Sequence, residues 1–421
     1  MKSAELQTPA RKQDKTAANH WLSRLARRLV LGKLAAIQKG NLLVEEAGAE
    51  PLSFGQPRED AEIAAHICVH HESTYVQILL NGTIGAGEAY MEGAWTSPDL
   101  VAVIRLMVSN MQLLENIDSR WSTANKFILR LLHGFNANTR KGARKNIAAH
   151  YDLGNDFFRL FLDETMMYSS AVFPRPDASL QEASQYKLDQ ICRKLQLKPG
   201  DHLLEIGTGW GGMALHAAKH YGCRVTTTTI SRRQYEYVRA RVAREGLADR
   251  INLLLQDYRE LGGQYDKLVS IEMIEAVGHR FYHRFFRHCS HLLKSGGLMV
   301  KQAITIRDQR FDRYKDQVDF IQRYIFPGGC LPSNAIIAKH ICEDTDMQML
   351  GFEDITLHYA ATLNAWRSAF LNKLDEVHRQ GFDQQFVRMW EFYLCYCEGG
   401  FLERAIGSAQ FVFAKPDYKT P

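Results

Sequence analysis

The segment His202-Leu203-Leu204-Glu205-Ile206-Gly207-Thr208-Gly209-Trp210-Gly211-Gly212 opens as an apolar run and closes in glycines. A run this short, bounded by glycine, predicts a buried strand rather than a helix. Glycine permits positive φ and lets a ligand approach the backbone where a Cβ would block it. A helix is predicted from near Met213, its first N–H groups facing the same hollow. A dinucleotide-binding turn needs Gly-x-Gly-x-x-Gly, with an acid about 20 residues on. Here the spacing is Gly207-x-Gly209-x-Gly211, and the acid, Glu205, stands just ahead of it.

Downstream, strands and helices alternate. Strands are predicted at 224–229, 251–255, 267–271 and 298–303, with helices at 232–245 and 281–293. A helix at 180–195 precedes the glycine segment, and 352–359 and 410–415 read as closing strands. Alternation of this kind implies parallel βαβ units. The predicted fold is an α/β doubly wound, Rossmann-like sheet with helical insertions, behind a small N-terminal α+β domain. Ligands then sit outside the carboxyl ends of the strands. Glu205, Thr229, Gln256, Asp257, Glu275 and Gln302 are expected at such ends.

The formal charge is +5 and the pI about 8.6, a mild basicity that suits an anionic surface without demanding one. No stretch is apolar for the ~18 residues of a membrane span, and Met1–His20 lacks the apolar core of a signal peptide. The eight cysteines include no Cys-x-x-Cys pair and read as reduced cytoplasmic thiols. No metal site and no nucleic-acid motif are predicted.

Four regions are expected: a disordered tail over 1–18, an N-terminal domain over 19–118, a basic linker over 119–149, and a catalytic domain over 150–421. Residues 21–38 read as a basic amphipathic helix, carrying Leu22, Leu25, Leu29, Leu31 and Leu34. Its apolar side suits either an anionic bilayer or its own domain. Strands are predicted at 41–46 and 75–80, a helix at 100–114, and breaks at Gly82, Gly85 and Gly87.

The glycine segment resembles the E-x-G-x-G-x-G pattern of class I methyltransferases, which hold S-adenosylmethionine. Further motifs make the chain resemble the cyclopropane-fatty-acyl-phospholipid synthases, in the superfamily of mycolic acid cyclopropane synthases. These are His150-Tyr151-Asp152-Leu153-Gly154-Asn155, Met167-Tyr168-Ser169, Thr229 to Gln234, Gln256-Asp257-Tyr258-Arg259, Glu275-Ala276-Val277-Gly278 and Tyr324 to Gly329. Tyr393 to Phe401 and Gly85 to Trp95 match as well.

The resemblance implies one-carbon transfer from S-adenosylmethionine to a cis double bond of a phospholipid acyl chain. A carbocation forms, and a bound bicarbonate removes the proton that lets the ring close. Peripheral association with the inner face of the membrane and a homodimer are also implied. Position by position, Glu275 would hold the bicarbonate and Tyr359 would be the active-site tyrosine. Ser170 and Gln302 stand where the family often has cysteine and histidine, and Ala276 also stands where it often has histidine. Cys397 matches a cysteine discussed as catalytic, yet its aromatic surroundings predict a structural thiol. Cofactor contacts are implied for Tyr168, Ser169, Glu205, Gly207, Gly209, Gly211, Thr229, Ser231, Gln234, Gln256 and Asp257. Plainer readings stand beside these, with Glu275 as a helix-start acid and Tyr359 as a core tyrosine. Because of the departures, a methyl-branched or methylene product and a non-catalytic lipid binder stay open, and the basic linker keeps open a non-lipid substrate.

Overall fold

The computed structural model describes residues 12–112 and 153–419, with side chains from residue 21 onward. The expected linker at 119–149, the start of the His150 motif and residues 1–11 lie outside the described residues. The chain divides into two compact units between Phe127 and Ile128.

Among the described residues, the first unit holds a four-stranded sheet and three α-helices. Its strands β1 (Asn41–Glu46), β2 (Leu52–Gly55), β3 (Ala64–Val69) and β4 (Trp95–Thr96) lie in the order β2-β1-β3-β4. Helix α1 (Lys12–Leu34) starts inside the expected tail, because nothing between Lys12 and Leu31 breaks a helix. The strand expected at 75–80 is instead part of helix α2 (Ser73–Met91). Its β-formers are overruled by tertiary packing, a known weakness of strand propensity. Gly82 (φ 57°, ψ −130°) kinks α2, and a Cβ on Gly85 would lie 2.0 Å from the Gln77 carbonyl oxygen. The glycines therefore bend a helix instead of separating strands. Helix α3 (Leu100–Ser109) is shorter than expected.

The second unit is a seven-stranded sheet in the order β10-β11-β9-β8-β5-β6-β7. Strands β5 (His202–Ile206), β6 (Arg224–Thr229), β7 (Ile251–Leu255), β8 (Tyr265–Ile271) and β9 (Leu293–Ile306) are mutually parallel. Strands β10 (Gln348–Asp354) and β11 (Ile406–Ala414) close the edge antiparallel. Helices α4 (Leu180–Lys194), α5 (Gly212–His220), α6 (Arg232–Arg244) and α7 (Tyr282–Leu292) belong to this unit. Chain order runs outward from β5 through β6 to β7, then resumes on the other side at β8. That reversal opens a crevice at the carboxyl ends of β5 and β8.

Two expectations change here. Gln302 lies within β9, not at its end, because β9 stays paired with β11 as far as Ile306. The strand expected over 352–359 ends at Asp354, whose carboxylate accepts the Thr356 N–H at 2.8 Å and starts helix α8 (Thr356–Leu371). Tyr359 thus projects from a helix. The last long helix, α9 (Gln384–Leu402), packs on α8.

Candidate active site

The glycine loop leaves β5 with Gly207, Gly209 and Gly211 all at positive φ (99°, 51° and 87°). Two of them are closely packed. A Cβ on Gly207 would lie 3.2 Å from Met273, and one on Gly211 would lie 3.1 Å from Val238. A Cβ on Gly209 would meet nothing within 4 Å. Gly209 therefore faces open space, so a ligand can approach its backbone where a side chain would stand in the way. The Gly207 and Thr208 N–H groups are already spent on the Thr228 carbonyl.

Several expected cofactor residues are held by local structure. Ser231 caps α6 by accepting the Gln234 N–H, and Thr229 Oγ1 donates to Gln234 Oε1 at 2.8 Å. Asp257 is buried in an ion pair with Arg259 at 2.6 Å, and Gln256 donates to the Glu260 carbonyl. Glu205 is also turned into the sheet, where it accepts the Thr227 hydroxyl at 2.6 Å. Burial pushes its carboxyl up to about 8.

This shift gives Glu205 a stability signature. The folded chain binds the Glu205 proton more tightly than the unfolded chain, so stability falls as pH rises from about 4.5 to about 8. The Glu205→Gln variant is expected to show a shallower fall over that window, read from urea midpoints at pH 5 and pH 8. An equal slope in both proteins would refute the assignment.

Opposite the glycine loop, the 168–173 segment is stitched to α8. The Ala171 N–H donates to Thr362 Oγ1 at 3.1 Å and the Phe173 N–H to His358 Nδ1 at 3.2 Å. Tyr168 stacks on Trp366 with centroids 5.2 Å apart, and its hydroxyl pairs with that of Tyr393 at 2.8 Å. Ser169 accepts a 2.8 Å hydrogen bond from Lys187, a fully buried lysine on α4. Burial lowers the Lys187 ammonium to about 8, against the pull of Glu272, Asp163 and Glu205. Sequence reasoning passed over Lys187. Its signal was a lysine inside the apolar stripe of Ala183, Leu188, Ile191 and Cys192.

Three of the residues expected to be catalytic converge, but on Glu272 and not on Glu275. Glu272 Oε1 accepts the Ser170 N–H at 2.9 Å and the Gln302 side-chain amide at 2.7 Å. Its Oε2 accepts the Tyr359 hydroxyl at 2.8 Å. Glu272 follows β8 at the crevice with φ 47°, a conformation uncommon outside glycine and typical of functional sites. Burial raises its carboxyl, and Gln302, Lys187, Tyr359 and Ser170 each pull it back toward the ionised form. Gln302 is fixed from behind by Gln410 at 2.9 Å. The Ser170 hydroxyl points away, donating to the Ala171 carbonyl, so this residue contributes its main chain.

Glu275 lies nearby and plays a different part. Its Oε1 accepts the Ile304 N–H at 2.6 Å, while Oε2 is buried without a hydrogen-bonding partner. Burial raises its carboxyl, and the Lys301 ammonium opposes that shift. Lys301 is itself buried against the Phe285 ring, 4.6 Å from its centroid. Burial drives the Cys397 thiol far above its ordinary range, as expected of a structural cysteine. Ser170, Gln302 and Tyr359 already donate to the Glu272 carboxylate and not to a site on Glu275, the residue expected to hold bicarbonate. A second anion among these donors would meet a like charge, so the site does not fit bicarbonate.

The description of the family model that matches residues 138–411 is mycolic acid cyclopropane synthetase. A tuberculostearic acid methyltransferase of Mycobacterium tuberculosis is 40% identical over 328 residues, 76% of each chain. The cyclopropane-fatty-acyl-phospholipid synthase of Escherichia coli strain K12 is 36% identical over 353 residues, 83% of this chain and 88% of the relative. Among solved structures, a mycolic acid cyclopropane synthase complexed with SAH and CTAB superposes with a TM-score of 0.61 at 33% identity. The match covers 65% of this chain and 98% of that one.

Proposed function

Since the chain belongs to the mycolic acid cyclopropane synthetase family, we propose that it adds one carbon from S-adenosylmethionine to the double bond of an unsaturated phospholipid acyl chain. Glu272 serves as the base. The observation that carries this reading is the convergence of Ser170, Gln302 and Tyr359 on one carboxylate, whose neighbour Met273 packs against Gly207 of the glycine loop. The Gly207–Gly211 loop, Tyr168 and Ser169 would hold the donor. When bound, S-adenosylmethionine supplies an electrophilic methyl group.

An alkene is a weak nucleophile, so catalysis rests on alignment in a water-poor slot. Tyr168 stacks on Trp366 and lies beside Phe326, and such rings would favour the cation left on the acyl chain after the new carbon–carbon bond forms. Glu272 then takes one proton, giving a net gain of CH2. Loss from the new methyl closes a cyclopropane ring. Loss from a neighbouring chain carbon leaves a methyl-branched alkene of the same mass, and a 1,2-hydride shift followed by loss from the new methyl leaves a methylene group.

The test is incubation with methyl-labelled S-adenosylmethionine and oleoyl-phospholipid vesicles. Acyl chains heavier by one CH2 support the reading, and unlabelled chains refute it. NMR of the product separates cyclopropyl from vinylic protons.

Access to lipid is proposed through α1. Ala26, Val30 and Leu31 are buried within its unit, yet Trp21 (56% exposed), Leu22, Leu25 and Leu29 form a second, uncovered stripe. Exposed Arg24 and Arg28 flank it. No described helix is long and apolar enough to cross a membrane, so the fit is to the surface of an anionic bilayer. The double variant Leu25→Asp/Leu29→Asp is expected to lose co-sedimentation with phosphatidylglycerol vesicles. Undiminished sedimentation would overturn this.

A further inference from the structure

The N-terminal unit carries a cluster that the proposed reaction does not use. Strands β1 and β3 are parallel neighbours, with Glu45 in register with Cys68. His66 and Cys68, two residues apart, project from the same face of β3. Three side-chain atoms meet there. His66 Nε2 lies 3.2 Å from Glu45 Oε2. Cys68 Sγ lies 3.5 Å from His66 Nε2 and 3.9 Å from Glu45 Oε2. Among the described residues this is the one group of three His, Cys, Asp or Glu side chains converging so closely.

The triangle has the dimensions of a coordination site. Its circumcentre lies about 2.1 Å from all three corners. Zinc sits about 2.0–2.2 Å from nitrogen and oxygen ligands and about 2.3 Å from sulfur. Tetrahedral geometry at those lengths separates the ligand atoms by about 3.3–3.6 Å, close to the observed edges. A thiolate, an imidazole and a carboxylate together select a borderline transition ion over magnesium or calcium. The His66 and Glu45 side chains are 26% and 46% exposed, which leaves an entry path and room for solvent as a further ligand.

We propose that Glu45, His66 and Cys68 bind a divalent transition ion of the zinc class, fastening β1 to β3. Binding displaces the thiol proton.

The experiment titrates the chelator-treated full-length chain with Co2+. A thiolate-to-cobalt charge-transfer band saturating at one equivalent, lost in Cys68→Ser and weakened at least tenfold in His66→Gln, supports the site. Zn2+ should then bleach the band and raise the Tm of the parent protein but not of either variant. No band at one equivalent overturns the proposal. So does a band that persists in Cys68→Ser, which would place the ion on another of the eight cysteines. An equal Zn2+-induced Tm shift in both variants overturns it as well.

Discussion

Glu272→Gln is expected to lower turnover by about 10²- to 10⁴-fold, the usual worth of a positioned general base. Binding of the sulfonium donor should change less than threefold. The substitution keeps the volume and leaves an acceptor for the Ser170 N–H and Gln302 amide, so the fold should persist. What it removes is the ability to take a proton. Tyr359→Phe provides a graded control, removing one donor from Glu272 Oε2. Without that donor the ionised form is less favoured, so the carboxyl rises further. Activity requires that ionised form, so the acid limb of the pH–rate profile should move to higher pH, with about a tenfold loss near neutrality. Carbonate-depleted buffer should leave wild-type turnover unchanged, because the donors are already taken. Full activity in Glu272→Gln would remove Glu272 from the reaction.

The second large effect is expected at Gly209. Gly209→Val places a branched side chain in the open hollow and should weaken S-adenosylmethionine binding by about 100-fold or more, measured by calorimetry. Its structural cost is set chiefly by the left-handed backbone of a non-glycine residue, about 1–3 kcal/mol, since the new Cβ meets no protein atom within 4 Å. Gly211→Ala makes the opposite trade. Its Cβ presses on both methyls of Val238 at 3.1 and 3.2 Å, so stability should fall more than affinity. Should both variants lose stability alike and bind the donor normally, the hollow beside Gly209 is not the cofactor site.

Much of the architecture was legible because hydrophobic period and glycine position are local signals. The β5–loop–α5 unit, the regular β6–α6–β7 run and the closing antiparallel pair were all readable from residue order. The misreadings have physical causes. Tyr75 to Leu80 carries strand-forming side chains, but helical packing in the first unit outweighs their local preference. The extent of β9 depends on a partner strand over a hundred residues away, so Gln302 could not be placed by its neighbours.

At the site, the family resemblance singled out Ser170, Gln302, Tyr359 and Glu275. The structure brings the first three together on Glu272 instead, since both acids follow the strand and spacing does not say where a carboxylate points. Residue order determined the chemistry on offer: a glycine loop, a strand-end acid, aromatic cover and a basic amphipathic helix. Tertiary structure decided which groups meet. Glu272 became the hub only when the turn after β8 took φ 47° and brought its carboxylate between the 168–173 segment, β9 and α8. Local propensity acts over a few residues, whereas hydrogen bonds at this site join residues 30, 87 and 102 positions apart, and only the packed sheet brings them within 3 Å.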